Sequence, residues 1–306
     1  MSQGKIAAAV QAGRVLVSDG AWGTFLQKKG LKNGECPELW CLDRPQDVLE
    51  VAAGYVDAGA DMIESDSFGA TRLKLRPFGL SSRAAEINRA AAAISRKAAG
   101  SKAWVIASMG PTGHLLIDEE EGMEAEMFEG FREQALALEQ GGADALCIET
   151  MSALDESALA IRAAREASGC EVICTFTFNR TPQGGYRTMM GVSPAAAARA
   201  ALDAGAHIIG TNCGNGIKGM IDIVREMREA APDAPILVHA NAGLPVAVNG
   251  VVSFPETPDQ MAAEVPALIA AGADIIGGCC GTSPAHIAAI RKAVRTAASA
   301  KRQPHP

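Results

Sequence analysis

One pattern recurs four times along the 306-residue chain: a stretch of helical composition, a glycine, a small residue and then a short apolar run. The glycine can adopt the left-handed conformation that ends a helix, and the apolar run is typical of a buried strand in a parallel sheet. The four segments are "VDAGADMIESD", "EQGGADALCIET", "LDAGAHIIGTNC" and "IAAGADIIGGCCG". A chain built in this way is expected to alternate strands with helices.

Eight strands follow from this reading. The recurring segments predict strands at Met62–Asp66, Ala145–Thr150, Ile208–Cys213 and Ile275–Cys280. Apolar runs between them predict strands at Val15–Asp19, Trp104–Met109, Val172–Phe178 and Ile236–Asn241. An Ala-rich stretch of helical composition follows each strand, and strands that alternate with helices form a parallel sheet. The prediction is an α/β fold, a single (β/α)8 TIM barrel, with a doubly wound open sheet as the alternative.

The chain shows no linker, low-complexity tract or charge block that would mark a second domain. We therefore expect one barrel domain over residues 1–300, with its last helix at about Pro284–Ala300, and a disordered tail over residues 301–306.

Composition narrows the class of protein. The net charge of −7 argues against nucleic acid as a partner, because nucleic-acid binders normally carry a basic face. No apolar run is long enough to span a membrane, and the polar start "MSQGK" is not a signal peptide. Eight cysteines without an export signal indicate a reducing compartment, so we expect a cytoplasmic protein whose thiols serve packing, metal binding or catalysis.

Polar and thiol side chains are concentrated where the predicted strands end. In a TIM barrel the carboxyl ends of the strands carry the active site. Read in chain order, these ends are Asp19-Gly20, Ser65-Asp66-Ser67, Ser108-Met109-Gly110, Glu149-Thr150, Thr177-Phe178, Cys213, Asn241 and Cys279-Cys280. Such a polar ring on an apolar scaffold predicts a functional site at this end of the barrel.

Three of these residues predict a metal centre. Cys213 ends the sixth predicted strand, and Cys279 and Cys280 end the eighth, so their side chains can meet over the barrel mouth. Three thiolates with one open position are typical of a catalytic zinc site, because structural zinc sites fill all four positions. Thiolates also favour zinc over magnesium or manganese. The alternative is a strained vicinal disulfide or a redox switch.

The remaining cysteines and the histidines fit no ligand pattern. We expect Cys147, Cys170 and Cys174 to act as small apolar residues in buried strands, and Cys36 and Cys41 to lie in loops or at the rim. The five histidines are expected in packing or surface positions: His114, His207, His239, His286 and His305. The segment "GNGIKG" at 214–219 matches a dinucleotide-binding motif, but the next strand lacks the acidic residue that such a site requires.

Two carboxylates are candidates for substrate binding. Asp19 and Glu149 lie at predicted strand ends four strands apart, so we expect them to face each other near the mouth. Such a pair could bind an ammonium group or perform acid–base work, whereas either residue alone could also cap a helix or hold a loop. Gly20, in the segment "DGAWGT", permits close approach of a ligand to the backbone.

The motifs together resemble the homocysteine S-methyltransferase family. The segments that carry the resemblance are "SDGAWGTFLQ", "GADMIESDSFGAT", "GPTG", "IET", "GTNCGNG", "NAGLP" and "GGCCGT", which extend over essentially the whole chain. They are most similar to the homocysteine-binding domain of cobalamin-dependent methionine synthase. The resemblance implies a zinc enzyme that methylates the thiol of L-homocysteine to give methionine.

The resemblance also implies roles for single residues. Cys213, Cys279 and Cys280 match the zinc thiolates, and Asn241 matches the residue that fills the fourth zinc position before substrate arrives. Asp19 and Glu149 match the residues that contact the amino group of homocysteine. The substrate carboxylate would be received by the backbone of a segment that departs from the family pattern T-N-T, namely Ser65, Asp66 and Ser67. Asp66 adds a carboxyl group there, so it either turns away or alters the preference for the amino acid.

The methyl donor stays open. The residue sequences at the strand ends favour methyl transfer from a separate methylcorrinoid protein, which would be a partner of this chain. S-methylmethionine or a related sulfonium is the second candidate, and betaine the third, because few aromatic residues are expected near the mouth to cage a quaternary ammonium. A thiol-based zinc-handling or redox-sensing protein is the non-enzymatic alternative.

Overall fold

The computed structural model describes residues 4–114, 116, 122–248 and 251–300. Within these ranges eight parallel strands form a nearly closed barrel that is surrounded by helices. This confirms the predicted (β/α)8 TIM barrel and excludes the doubly wound sheet. The tail predicted over residues 301–306, with His305, lies outside the described residues.

The barrel strands are numbered β1 to β8 in chain order. They are β1 Leu16–Val17, β2 Met62–Ile63, β3 Trp104–Met109, β4 Ala145–Met151, β5 Glu171–Phe176, β6 Ile208–Gly216, β7 Ile236–Asn241 and β8 Ile275–Gly278. The bounds of β3 and β7 are those predicted. β2 is shorter than predicted because Glu64 N donates to the side chain of Asp19 rather than to a neighbouring strand.

Helices follow the strands as the sequence pattern predicts. They are α1 Lys5–Gln11, α2 Gly23–Lys28, α3 Trp40–Asp43, α4 Pro45–Asp57, α5 Arg72–Leu75, α6 Ala84–Ala99, α7 Met123–Gln140, α8 Leu154–Ala167, α9 Pro194–Ala204, α10 Ile217–Ala230, α11 Pro258–Ala271 and α12 Pro284–Ala300. Two short hairpins, which were not predicted, follow β5 and β7: Asn179–Arg180 with Tyr186–Arg187, and Val246–Val248 with Val251–Ser253. None of the helices in the described ranges combines the length and apolar character needed to cross a bilayer.

Asp61 closes the barrel. β1 pairs with β8 through Leu16 and Ile275, and β2 pairs with β3. Between β1 and β2, the backbone N of Asp61 donates to Val17 O at 2.7 Å, and its carboxylate accepts from Val17 N at 2.9 Å. Asp61 therefore supplies two hydrogen bonds across the seam between β1 and β2, and Glu64 N adds a third to the side chain of Asp19.

The bond made by Asp61 recurs around the barrel. In each copy of the sequence pattern, the residue before the even-numbered strand accepts the N–H of the preceding odd-numbered strand at 2.9 Å, and an arginine from an even-numbered helix contacts it. The acceptors are Asp61, Asp144, His207 and Asp274. The arginines, in the same order, are Arg291, Arg96, Arg165 and Arg228. The sequence repeat is thus a structural repeat of quarter barrels.

α1 covers the floor of the barrel, at the amino ends of the strands. Ile6, Ala7 and Val10 pack against the inward-facing residues at these strand ends. The carboxylate of Glu171 accepts from Ile6 N at 2.7 Å and Ala7 N at 2.8 Å, which satisfies the otherwise unpaired N–H groups at the helix start. The floor is therefore sealed, and the opposite end holds the site.

Candidate active site

The three cysteines predicted as ligands converge at the mouth of the barrel. The sulfurs of Cys213, Cys279 and Cys280 all lie within 4.8 Å of one another, and those of Cys279 and Cys280 are 3.9 Å apart. Among the described residues, this is the one group of three or more His, Cys, Asp or Glu side chains that is close enough to hold a metal ion. The structure thus brings the predicted trio together.

Unusual backbone conformations point the sulfurs toward one centre. Cys213 has a φ of 57°, in the left-handed region that side chains other than glycine rarely adopt. Gly281, directly after the Cys279–Cys280 pair, has a φ of 82°, and a Cβ there would lie 2.2 Å from Phe254 Cβ. Only glycine fits this position, so the tight turn that presents Cys280 depends on it.

The thiols interact with one another electrostatically. Hydrogen bonds from Cys279 and Cys280 lower the pKa of Cys213, whereas the pKa values of Cys279 and Cys280 are raised by the same contacts. The three thiols therefore share protons among themselves. A divalent cation would favour the loss of the remaining protons, because a metal-bound thiol is deprotonated.

Asn241 supplies a fourth polar atom beside the thiols. It ends β7, its side chain hydrogen-bonds Cys213, and its Oδ1 is buried without a hydrogen-bond partner among the described residues. A buried amide oxygen without a partner is costly, which points to a ligand or ion at this place. Three sulfurs and one oxygen form a donor set that suits tetrahedral zinc. The residues present therefore fit the predicted ion.

A cavity of about 360 Å³ opens beside the three cysteines. Its wall carries four carboxyl side chains and two aromatic rings: Glu38, Glu64, Asp66, Glu149, Trp22 and Phe68. No lysine or arginine is among the described residues of this wall. A larger cavity of about 580 Å³ lies at the floor of the barrel, near Lys5 and Arg165, far from the thiols.

The predicted substrate residues divide into two groups. Gly20, Ser65, Asp66 and Glu149 line the cavity, as expected for residues that contact a ligand. The others are buried behind its wall: Asp19, Ser67 and Asn241. The hydroxyl of Ser67 donates to Ser108 O at 2.7 Å, so its polar group is used within the protein.

Asp19 lies close enough to Glu149 to raise the pKa of that carboxyl group, but it is not among the residues that line the cavity. Asp19 is fully buried, and its Oδ2 accepts from Trp22 Nε1 and Glu64 N, both at 2.8 Å. Its Oδ1 accepts from Ser18 Oγ at 3.2 Å. Burial, together with the nearby Glu64, raises the pKa of Asp19 to about 7. Its carboxyl group fixes the wall of the cavity and does not reach into it.

Glu149 lies on the wall, and neutral donors hold its carboxyl group. One oxygen accepts from the hydroxyl of Ser108, and the other accepts from Asn212 Nδ2 at 3.1 Å. Burial and the neighbouring Glu64 raise the pKa of Glu149 well above its usual range. Asn212 also accepts from Thr150 N, and Thr150 has a φ of 62°. The end of β4 is therefore held in a strained conformation by a hydrogen-bond network.

Two residues on the wall were missed by the sequence analysis. Glu64 directly follows β2, and His239 lies within β7 with its Nδ1 3.4 Å from Glu64 Oε1. His239 was expected in a packing or surface position. Glu64 directly precedes the Ser65–Ser67 segment. Its position near a predicted strand end could have identified it as a candidate site residue.

Cys36 lies in a loop as predicted, although it is buried, whereas Cys41 is buried within a helix, which corrects its predicted loop or rim position. Cys41 lies in α3, and its thiol contacts the backbone oxygen and the carboxyl group of Asp66 at 3.4 and 3.8 Å. Burial, together with Glu38, raises the pKa of Asp66 well above its usual range. Asp66 thus contacts Cys41 and also lines the cavity, so it does not turn away from the site.

Comparison with known proteins identifies what the chain resembles. A family model described as homocysteine S-methyltransferase matches residues 16–294. Methionine synthase of Mycobacterium tuberculosis is 34% identical over an alignment that covers 95% of this chain and 25% of the relative. Methionine synthase of Mycobacterium leprae is 33% identical, over 92% of this chain and 24% of the relative. The chain thus spans about a quarter of the length of these relatives.

A solved structure shows the same fold. The metallated form of the homocysteine methyltransferase MmuM from Escherichia coli superposes with a TM-score of 0.76 and 23% sequence identity, over 93% of this chain and 98% of that one. At this level of identity the likeness establishes the fold, and the residues of the site must be argued from their own geometry.

Proposed function

The chain belongs to the homocysteine S-methyltransferase family, and on this premise we propose that it is a zinc-dependent enzyme that methylates the thiol of L-homocysteine to give methionine. One observation carries the proposal: the three sulfurs that meet within 4.8 Å at the wall of a cavity sized for a small molecule. The methionine synthase relatives support the substrate and the product.

We propose that Cys213, Cys279 and Cys280 would hold a zinc ion, with the Oδ1 of Asn241 as the fourth donor atom in the absence of substrate. Zinc bound there would supply a positive centre that ionises a coordinating thiol near neutral pH, where a free thiol with a pKa of about 8.5 is mostly protonated. The three cysteine thiolates would reduce the net positive charge at the centre, so the substrate sulfur would stay nucleophilic.

The other residues would bind and orient the substrate. Glu149, held by Ser108 and Asn212, would accept from the ammonium group, and the backbone near Ser65 and Ser67 would receive the carboxylate. Asp19 would act as a positioning residue, since it fixes Trp22 and the backbone of Glu64. Attack of the thiolate on an electrophilic methyl group forms the S–CH3 bond, breaks the bond from methyl to donor and gives a thioether.

For the donor we propose a methylcorrinoid carried by a separate partner protein, because the strand-end segments resemble those of cobalamin-dependent methionine synthase. A small sulfonium such as S-methylmethionine is the second candidate. The observation that favours it is the acidic wall with Trp22 and Phe68, which suits a small cation better than an anion.

A parallel methyl-transfer assay tests the proposal. Zinc-loaded protein and L-homocysteine are offered methylcobalamin, S-methylmethionine, betaine and S-adenosylmethionine, and methionine is quantified. We expect methionine from methylcobalamin or a sulfonium donor and none without zinc. A protein whose melting temperature does not rise with L-homocysteine, and which forms no methionine from any donor, would instead be a zinc-handling or redox-sensing protein.

A further inference from the structure

A short segment, residues 254–256, packs against every loop that carries a proposed zinc ligand. It lies between the second hairpin and α11. At the ends of β6, β7 and β8 the segment meets a glycine that follows a proposed ligand within three residues. The glycines are Gly216 after Cys213, Gly243 after Asn241 and Gly281 after Cys280. One segment therefore touches all three loops of the proposed metal centre.

The packing at these glycines leaves little room for a side chain in the loops. A Cβ at Gly281 would overlap the side chain of Phe254. A Cβ at Gly243 would lie 3.0 Å from Glu256 Cγ, and a Cβ at Gly216 would lie 3.1 Å from Glu256 Oε1. Phe254 and Glu256 thus fill the space that side chains of the loops would otherwise take.

Hydrogen bonds fix the segment in this position. Glu256 N donates to Ala242 O at 2.9 Å, and Ala242 directly follows Asn241. His286 Nε2 donates to Glu256 O at 3.0 Å, because His286 Nδ1 accepts from Ser283 N at 3.2 Å. His286 lies in the first turn of α12, the helix that follows the cysteine pair. The backbone of Glu256 is therefore bonded both to the loop after β7 and to the helix after β8.

Cys213 is the proposed ligand with the greatest need of such support. The regular pairing of β6 with β7 stops at Asn212 and resumes at Gly216, so the strand ladder does not hold Cys213. Its φ of 57° persists only where the surrounding structure enforces it. At the point where pairing resumes, the side chain of Glu256 packs against both Gly216 and Gly243.

We propose that Phe254 and Glu256 are positioning residues, whose packing against the three glycines holds the thiols in the arrangement that binds the metal. This inference rests on the proposed function, in which the thiols hold zinc. Bulk rather than charge matters at Glu256, because its Oε2 is buried and accepts no hydrogen bond from any described residue.

Zinc affinity, measured by competition with a chromophoric chelator, tests the role of the two residues. For Phe254→Ala and Glu256→Ala we expect zinc to bind about 10- to 100-fold more weakly than to wild type, as is typical when residues that orient metal ligands are lost. Phe254→Leu keeps the Cβ, the Cγ and a Cδ atom beside Gly281, and Glu256→Gln keeps the Cγ and an Oε atom. These two variants should bind zinc as wild type does.

Cobalt(II) in place of zinc adds a spectroscopic readout that a loss of stability alone would not change. Its visible absorption bands depend on the ligand set and its geometry. At saturating cobalt the bands should be shifted or weakened in the alanine variants and unchanged in Phe254→Leu and Glu256→Gln. The melting temperature of each metal-free variant verifies folding, and Glu256→Ala, at a half-buried position, serves if Phe254→Ala does not fold.

Val252→Ala is the matched control. Val252 lies on the hairpin strand just before the segment, pairs with Ala247 and is 60% exposed. Its truncation should leave both the zinc affinity and the cobalt bands unchanged.

Wild-type zinc affinity and wild-type cobalt bands in the alanine variants would overturn the positioning role. An equal loss of affinity in Val252→Ala, or in Phe254→Leu and Glu256→Gln, would overturn it as well, because the effect would then not come from packing at the glycines. If wild-type protein binds no zinc, the proposed function itself fails.

Discussion

Cys213 shows how the site depends on local backbone geometry. Cys213 and Thr150 are the two residues other than glycine with positive φ in the described part of the chain, and both line the cavity. Backbone strain of this kind persists only where the surrounding structure enforces it, and it is concentrated at functional sites. The sequence predicts a thiol at the end of the sixth strand, but the backbone conformation that aims it at Cys279 and Cys280 is visible only in the folded chain.

At the residue scale, we predict that Cys213→Ala loses both bound zinc and methyl transfer. Two thiols cannot replace the three-sulfur donor set, so zinc per chain, measured by elemental analysis after dialysis, should fall from about one to near zero. The control is Cys170→Ala. Cys170 is buried away from the mouth, and its thiol donates to Ala143 O and also hydrogen-bonds Ser168. A Cys213→Ala protein that keeps its zinc would contradict the assigned metal centre.

Glu64 also predicts a pH dependence of stability. Its pKa in the folded protein, about 8, exceeds the usual 4.5, so the folded state binds this proton more tightly than the unfolded state. The stability that the proton contributes is present at low pH and is lost as the pH rises through about 8, with a slope of at most about 1.4 kcal/mol per pH unit.

Urea unfolding of zinc-loaded protein between about pH 5 and about pH 9 tests this dependence, because most of the expected change in the free energy of unfolding falls within this range. The free energy of unfolding of wild type should fall with pH relative to that of Glu64→Gln, because glutamine does not titrate. Zinc affinity changes with pH in both proteins and cancels in the comparison. Parallel curves for the two proteins would show that Glu64 is not held protonated by burial.

At the scale of elements, the quarter-barrel repeat explains why the glycine pattern predicts the fold so well. Each repeat ends a helix, begins an even-numbered strand and places an acceptor for the N–H of the preceding strand. Three of the four acceptors are aspartates that pair with arginine. The fourth is His207, whose pKa burial and Arg165 both lower, so its contact with Arg165 lacks an ion pair between opposite charges.

We therefore predict that His207→Asp stabilises the protein. Aspartate can accept from Val172 N as His207 Nδ1 does, and it adds an attraction to Arg165 that should contribute about 0.5–1 kcal/mol for a partly exposed pair. The free energy of unfolding in urea measures the gain. The reverse change at an equivalent position, Asp144→His, should destabilise the protein, because Arg96 loses its anionic partner. A destabilised His207→Asp variant would show that the four positions are not equivalent.

The exact ends of the strands and the position of α1 do not follow from the sequence pattern. Apolar periodicity predicts that eight strands exist. It does not show where a strand ends because a backbone group, such as Glu64 N, bonds to a side chain, here that of Asp19, instead of to a neighbouring strand. α1 carries a short Ala-rich sequence without a capping side chain of its own. Glu171, distant in sequence, caps it, so only the tertiary fold determines its place.

At the scale of the whole molecule, the barrel separates a sealed floor from an open, acidic mouth. Thiols at strand ends are rare and distinctive, so the sequence predicts the cluster of three cysteines. A strand-end position does not tell whether a carboxyl group such as that of Asp19 points into the cavity or is buried in its wall. The sequence does not single out Glu64 and His239, because their lack of hydrogen-bond partners appears only in the three-dimensional packing.

X-ray absorption at the zinc edge reports directly on the proposed metal centre. For zinc-loaded protein we expect three sulfur ligands at about 2.3 Å and one lighter ligand. After addition of L-homocysteine we expect four sulfur ligands, with the lighter ligand lost. Fewer than three sulfurs in the first sample, or no new sulfur ligand in the second, would contradict a zinc centre built from Cys213, Cys279 and Cys280 that receives the substrate thiol.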